Sequence, residues 1–306
     1  MADRRPPIPT RLGLSAAGAL ALLVVGAMAM GISPVFVRHS EVGPFASAFW
    51  RVALALPVLI VWALATRDSA AAPFLSRIRH RGVVLSGLFF TGDLIFWHLA
   101  IVNTSIANAT FFACLAPIWV ALLSRFAIGE AVSRQTFLGL ALSVPGAALL
   151  ILHSAGGGGN GSHWLGDLYG LATSFFFGLY FLAVRDARRH LNAGETTFVS
   201  SLVTAAFLLL AALLSGEDFL PETLAGASNL LALGLVSHAG GQGLLTVALG
   251  VLSASFSSLV IFIEAVAAAL FGWIFADETP GLLQVLGGVL ILGGIWIARP
   301  RPAPLL

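Results

Sequence analysis

Apolar residues in this chain occur in long runs that are separated by short polar segments. Each run holds close to the 20 or so apolar residues that an α-helix needs to cross a bilayer. The runs are continuous and lack the alternation of membrane β-strands, which favours helices over a barrel. The pattern therefore predicts an all-α integral membrane protein with ten transmembrane helices, at about residues 13–37, 44–66, 82–102, 104–124, 135–152, 164–184, 195–214, 226–248, 252–275 and 280–298.

A weak internal repeat, shifted by 148 residues, relates the two halves of the chain. The informative matches are one acid and two glycines: Glu130 with Glu278, Gly139 with Gly287, and Gly146 with Gly294. Because each copy has an odd number of helices, the second copy must cross the membrane in the opposite direction, as in inverted-repeat transporters. We therefore predict repeats at 13–152 and 164–298, a glycine-rich external linker at 153–163, and cytoplasmic tails at 1–12 and 299–306.

Composition and charge support a membrane protein with a defined orientation. The chain is 58% hydrophobic and 10% charged, whereas a soluble domain has roughly 45–50% apolar and 25% charged residues. If the N-terminus is cytoplasmic, nearly all loop arginines lie inside, and Arg38 is the exception. The positive-inside rule thus predicts both termini in the cytoplasm of a bacterial inner membrane. Because the arginines are dispersed among loops, the basic pI does not indicate nucleic-acid binding.

Several loose motifs follow one another along the chain: Pro44 to Trp50-Arg51, Asn103–Ala109, Leu115-Ala116-Pro117, Gly129-Glu130, Ser253–Ser257 and Glu278. In this order they resemble the ten-helix EamA branch of the drug/metabolite transporter superfamily, over about residues 18–298. The resemblance implies transport of small metabolites, with exporters of amino acids, aromatic ones included, among the bacterial members. It also marks Arg51, Pro117, Glu130 and Glu278 as family-motif residues. Ala265 departs from it, since a proline often stands there.

Charged residues inside the predicted helices need a reason, because each costs about 2.5–3.5 kcal/mol on membrane insertion. Asp93 and Trp97 share one helix face, and His98 follows them. They can form a cavity wall that takes an amino acid, or Asp93 can be neutralised by burial while Trp97 packs against a neighbour. Glu264, with Ser257 on a preceding turn, suits either a cavity or proton-coupling role or an interhelical hydrogen bond.

The other candidates for substrate binding or coupling are polar and aromatic side chains within the predicted helices: Asn108, Trp119, Tyr180, His238 and Gln242. His98 and His238 could relay protons, but a lone histidine in a membrane span is more often a packing residue. Arg51 can snorkel, pair with a carboxylate or meet a substrate carboxylate, and structural pairing is the favoured interpretation. Tyr180 needs a partner for its hydroxyl at membrane depth.

Taken together, these features predict a secondary transporter of small metabolites, most simply a broad-specificity amino acid exporter working by alternating access. Other metabolites or cationic drugs are the alternative substrates, with Asp93 and Glu264 as counter-charges. Catalytic motifs, metal-ligand spacings and an ATP-binding domain are absent from the sequence, so we predict no enzyme, metal or cofactor. Small molecules and the lipid bilayer are the expected partners, and the protein is expected to be a monomer or weak homodimer.

Overall fold

The computed structural model describes residues 14–67, 80–104, 106–152, 164–276 and 281–299. Within these ranges the chain is helical and contains no β-strand. The tail at 1–12, the linker at 153–163, residues 300–306 and Glu278 lie outside the described residues. The helices are α1 (Ala16–Gly31), α2 (Ser33–Arg38), α3 (Pro44–Ala53), α4 (Leu56–Ala65), α5 (Arg81–Asn103), α6 (Ile106–Ala113), α7 (Ala116–Ala127), α8 (Arg134–Leu152), α9 (Trp164–Ala187), α10 (Ala193–Ser215), α11 (Leu224–Ala232), a π-helix (Leu233–Gln242), α12 (Gly243–Ala248), α13 (Ala254–Val260), α14 (Ile263–Ala276) and α15 (Leu282–Ala298).

Eight helical stretches in the described part of the chain are long and apolar enough to cross a membrane. They are Ala16–Arg38, Pro44–Ala65, Arg81–Asn103, Ala109–Ala127, Trp164–Ala187, Ala193–Ser215, Leu224–Ala248 and Ala254–Phe271. Two further apolar helices, α8 and α15, lie at the predicted fifth and tenth spans. The all-helical membrane class predicted from the hydrophobic runs is therefore confirmed.

Prolines explain three interruptions of the helical stretches. Pro34, Pro57 and Pro117 each occupy the first turn of a new helix, where the missing backbone N–H would have no partner in any case. Pro145 differs, because α8 continues through it without a break. All four prolines fall within the predicted spans. The sequence alone does not show that three of them begin a new helix and that Pro145 does not.

A fourth interruption, at Ile261–Phe262 between α13 and α14, occurs without a proline. With the 148-residue shift it corresponds within one residue to the Cys114–Leu115 break between α6 and α7. Ala265 occupies the position equivalent to Pro117. The second copy therefore keeps the broken helix although it lacks the residue that favours the break, so packing by the surrounding helices must maintain it.

Glycines that the repeat relates to one another bring α8 and α15 into close contact. A Cβ added to Gly139 would lie 2.5 Å from the Gly294 carbonyl oxygen, and one added to Gly146 would lie 2.8 Å from the Gly287 carbonyl oxygen. The pairing is reciprocal. Gly139 contacts Gly294, which is the repeat equivalent of Gly146, and Gly146 contacts Gly287, which is the repeat equivalent of Gly139. The two helices are thus antiparallel and related by a local two-fold axis, as the two sides of an isologous interface are.

Contacts between helix termini define two ends of the bundle. At one end Arg185 binds Glu130, and at the other Arg38 donates to the Thr104 carbonyl, 3.2 Å away, while Thr104 donates to Asp167. In the described ranges, the arginines near helix termini gather at the first, arginine-rich end, with Arg38 at the opposite end. Those at the arginine-rich end are Arg67, Arg81, Arg125, Arg134, Arg185, Arg188, Arg189 and Arg299.

The outer surface is apolar along the sides of the helices. Leu, Val and Ile side chains such as Val61, Leu210 and Val289 are more than half exposed. Aromatic residues near the helix termini, including Trp164 and Trp296, are also exposed, as expected at a membrane–water boundary. Such a surface is stable in contact with lipid and would be costly in water.

The glycine contact predicts a difference between two neighbouring residues of α15. Gly294→Ala should lower the free energy of unfolding by about 1–3 kcal/mol, because its methyl group would meet the Gly139 carbonyl. Gly293→Ala should be neutral or slightly stabilising, because a Cβ there has no neighbour within 4 Å and alanine favours helix. Thermal unfolding of both variants in detergent tests this. Equal behaviour would mean that the close approach is not required.

Candidate functional site

A narrow cavity lies near the middle of the bundle, where both copies of the repeat meet. The first copy supplies seven of its lining residues and the second copy four, and the aromatic and charged side chains of both copies face one another. The lining residues are Met30, Ser33, Arg51, Asp93, Leu94, Trp97, Ala113, Thr173, Phe177, Gln242 and Glu264. The cavity holds about two water molecules in this conformation. A metabolite would therefore require the helices to move apart.

Interrupted helices border the cavity at three points. Ser33 follows the break between α1 and α2, Gln242 ends the π-helix, and Glu264 lies in the first turn of α14. Irregular backbone at membrane depth is stable only where it is enclosed by protein or lines a polar cavity. Interrupted helices are also the usual place of substrate and ion sites in secondary transporters, and π-helices are frequent at functional sites.

Opposite charges face one another in this cavity. Arg51, on α3, is 4% exposed, and its guanidinium lies 5.2 Å from the ring centroid of Trp97. Asp93 on α5 and Glu264 on α14 both attract this guanidinium electrostatically. Stacking on the indole limits the orientations of the guanidinium group. The arrangement is a positioned cation opposed by two carboxylates, which is able to bind groups of either charge.

The structure brings together five residues that the sequence singled out, namely Arg51, Asp93, Trp97, Gln242 and Glu264. For Arg51 the sequence favoured structural pairing with a carboxylate. Its position on the cavity wall is compatible both with that pairing and with contact to a substrate. These residues come from three helices and the π-helix, and the sequence spacing showed only the proximity of Asp93 to Trp97.

Four other candidates are buried behind the cavity wall. His98 donates from Nδ1 to the Leu94 carbonyl at 2.8 Å, and Nε2 of His238 shares a 2.8 Å hydrogen bond with Ser201. The ring of Tyr180 packs against that of Phe90, with centroids 4.6 Å apart, and Ser257 is fully buried. None of the four lines the cavity in the described structure.

Trp119 and Pro117 lie away from the cavity lining. The Trp119 indole N–H donates to Ser174 Oγ at 2.9 Å, so it joins α7 to α9. Pro117 begins α7, where it limits the helix rather than contacting a ligand. Asn108 belongs to α6, and its side chain is outside the described part.

Sequence reasoning did not select Thr173, Ser33 or Phe177 for the cavity. Thr173 and Phe177 are one turn apart on α9, so they share a face with each other. A small polar residue one turn before an aromatic one is a signal that could have been found. Phe177 is harder to select, because the run of three phenylalanines at Phe175–Phe177 does not reveal which of them points inwards.

Glu130, a family-motif residue, lies at the arginine-rich end and joins the two copies. Its Oε1 is 2.6 Å from Nε of Arg185 and 3.5 Å from Arg189, and its Oε2 accepts the Ala254 N–H at 3.1 Å. Arg185 also donates to the Leu249 carbonyl at 2.8 Å. One carboxylate thus binds the C-terminal end of α9 and the N-terminal end of α13.

Two carboxylates make comparable contacts at the opposite end. Glu217 accepts the Ala46 N–H at the start of α3, and burial raises the pKa of Glu217 from its ordinary value although this amide opposes the shift. Glu41 accepts hydrogen bonds from the side chain and backbone of Thr223, which lower the pKa of Glu41. Each pair again links one copy of the repeat with the other.

A helical membrane protein that encloses charged side chains at the meeting point of two repeats belongs to the transporter class. The chain belongs to the EamA-like transporter family, whose family model matches residues 17–152 and again residues 164–299. It is therefore an integral membrane transporter and not an enzyme.

Individual relatives are similar at low identity. The Pseudopaline exporter CntI of Pseudomonas aeruginosa is 28% identical over 238 residues, covering 78% of this chain and 80% of that protein. A protein of Streptantibioticus cattleyicolor named "Probable terminal-alkyne amino-acid exporter" is 24% identical over 202 residues, 65% of this chain and 66% of its own. A solved crystal structure superimposes with a TM-score of 0.75 at 21% identity, covering 93% of this chain and 97% of the other, which shows a shared fold.

The contacts of Glu130 predict that neutralising it weakens the link between the copies. Glu130→Gln should lower the free energy of unfolding by about 1–3 kcal/mol, because Arg185 loses a partly buried charged partner. Glu222→Gln, at an exposed glutamate of the opposite end, is the matched control and should be neutral. Unfolding in detergent, followed by circular dichroism, compares them. A neutral Glu130→Gln variant would show that the ion pair adds nothing to stability.

Proposed function

We propose that this protein is a secondary transporter that exports amino acids with broad specificity, by alternating access at the central cavity. The observation that carries the proposal is the cavity itself, which both copies line and in which Arg51 faces Asp93 and Glu264. A zwitterion presents both charges to such a site and leaves the total charge of the site unchanged. Aromatic and aliphatic walls around it discriminate weakly between side chains, which favours broad recognition.

The proposed architecture is ten transmembrane helices in two repeats of inverted topology, at 13–152 and 164–298, with the linker at 153–163 on the outside. The antiparallel contact of α8 with α15, the fifth and tenth of these helices, supports the inversion. The arginine-rich end supports a cytoplasmic location for both tails in a bacterial inner membrane. A gradient across that membrane or facilitated diffusion would drive the transport.

The substrate class rests on the pairing of charges and on the names of relatives, one of which is named "Probable terminal-alkyne amino-acid exporter". Other metabolites or cationic drugs form the second candidate. One observation favours the cationic drugs: two carboxylates face a single guanidinium, so the site can spare a negative charge for an organic cation. A channel is less well supported, because an internal pair of repeats around an enclosed site is typical of carriers.

The proposal is tested by counterflow of labelled amino acids in liposomes that contain the purified protein, with and without a pH gradient. Saturable counterflow of several amino acids is expected. In Asp93→Asn this counterflow should persist within about tenfold of the wild-type rate, because Glu264 still supplies a negative charge. Asp218→Asn, at an exposed aspartate outside the cavity, controls for the loss of an acid.

The same liposomes distinguish the two substrate classes. An exporter of cationic drugs should transport a labelled organic cation such as tetraphenylphosphonium and should lose that transport when Asp93 or Glu264 is neutralised. If the organic cation moves while no amino acid does, the amino-acid proposal is wrong.

A further inference from the structure

Several buried polar atoms without a hydrogen-bond partner lie on the wall of the central cavity. Among the described side chains these include Nε of Arg51, Oγ1 of Thr173, and Oε1 of both Gln242 and Glu264. Arg51, Thr173 and Gln242 are each at least nine-tenths buried as whole residues. Because a buried polar atom without a partner is destabilising, such a cluster indicates groups that a ligand completes.

The chemistry of these atoms specifies the ligand that would satisfy them. Arg51 has only N–H donors and therefore needs an acceptor, ideally an anion that accepts two of them at once. The Glu264 carboxylate oxygen needs a donor, and the Gln242 carbonyl oxygen needs one too. A molecule with a carboxylate at one position and an ammonium group close beside it satisfies both requirements.

The two kinds of group come from different copies of the repeat. Arg51 and the Trp97 ring on which it stacks belong to the first copy, whereas Gln242 and Glu264 belong to the second. A ligand that binds both sides therefore bridges the copies at their meeting point. Binding of each end of the ligand is then coupled to the relative position of the copies, as domain closure around a substrate requires.

Glu264 is also specific to one copy. In the 148-residue register its equivalent in the first copy is Ala116, which is buried and apolar. The repeat architecture at this position consequently does not need an acid, since the first copy folds with a methyl group there. The carboxylate at Glu264 is thus better explained by what the cavity binds than by the packing of the repeat.

We propose that Arg51 binds the carboxylate of the substrate and that Glu264 and Gln242 receive its ammonium group. The site then recognises the α-amino acid backbone, and the side chain of the substrate lies among Trp97 and Phe177. Asp93 balances the charge of Arg51 from the first copy. This assignment rests on the proposed function as an amino acid transporter and specifies how that site reads its substrate.

The wild-type protein tests the assignment without any substitution. Ligand-dependent thermal stabilisation of the purified protein in detergent would be measured with L-phenylalanine, with phenethylamine, which lacks the carboxylate, and with 3-phenylpropanoate, which lacks the ammonium group. Phenylalanine should bind at least about tenfold more tightly than either analogue, because each analogue leaves one buried charge without a partner. Equal binding of phenethylamine would overturn the role of Arg51, and equal binding of 3-phenylpropanoate the role of Glu264.

Two variants should then change the preference in opposite ways. Arg51→Gln should lose the preference for phenylalanine over phenethylamine while its affinity for phenethylamine stays within about threefold of wild type. Glu264→Gln should instead lose the preference for phenylalanine over 3-phenylpropanoate. Arg38→Gln, at an arginine of the opposite end that binds backbone carbonyls, should retain both preferences.

A uniform loss of affinity for all three compounds in Arg51→Gln would assign a structural role to Arg51 and contradict the proposal. Failure of the proposed function has a different signature: no amino acid is bound or exchanged by the wild type. Transport of amino acids together with equal affinity for the truncated analogues would leave the transporter proposal standing and remove only the assignment of Arg51 and Glu264.

Discussion

The close contact between α8 and α15 is, with the contact between α5 and α9, one of the two most extensive contacts between the copies of the repeat. Gly139 meets Gly294 and Gly146 meets Gly287, and a Cβ added to Gly139, Gly146 or Gly294 would lie within 2.8 Å of the facing carbonyl oxygen. A reciprocal contact of this kind requires a two-fold relation, which makes the two helices antiparallel. The other helices of the two copies also contact one another, and residues of both copies line the central cavity.

A two-fold arrangement of backbones does not make the chemistry at its centre symmetric. Arg51 and Asp93 come from the first copy, and Glu264 comes from the second. The residue of the first copy that is equivalent to Glu264 is Ala116. Enclosing these charges at membrane depth is costly. The attraction between opposite charges and the cation–π contact of Arg51 with Trp97 offset only part of that cost. The repeat supplies the scaffold, and the differences between the copies supply the charged groups at its centre.

The parts of this structure that could be predicted are those determined by composition and spacing. Continuous apolar runs predict helices, and the matching glycines predicted a relation between the halves that the contact of α8 with α15 agrees with. Asp93 and Glu264 could be selected because charge is rare inside membrane helices. Thr173 and Phe177 could not, since only the packing of α9 decides which of its apolar and small residues face inwards. The break at Ile261–Phe262 likewise has no local signal, because it depends on neighbouring helices rather than on proline.

The two copies are linked at both ends of the bundle by the same kind of contact. A carboxylate of one copy accepts a backbone N–H at the start of a helix, or at its cap, in the other copy: Glu130 with Ala254, Glu217 with Ala46, and Glu41 with Thr223. Unpaired amides and the helix dipole favour a carboxylate at the N-terminal end of a helix. The stabilisation is only about 0.3–1 kcal/mol at exposed positions. Water can replace either partner at the membrane surface, whereas it cannot enter the glycine contact of α8 with α15. If one end opens during transport, we expect the polar contacts at that end to separate, because water can replace them, and the glycine contact of α8 with α15 to stay.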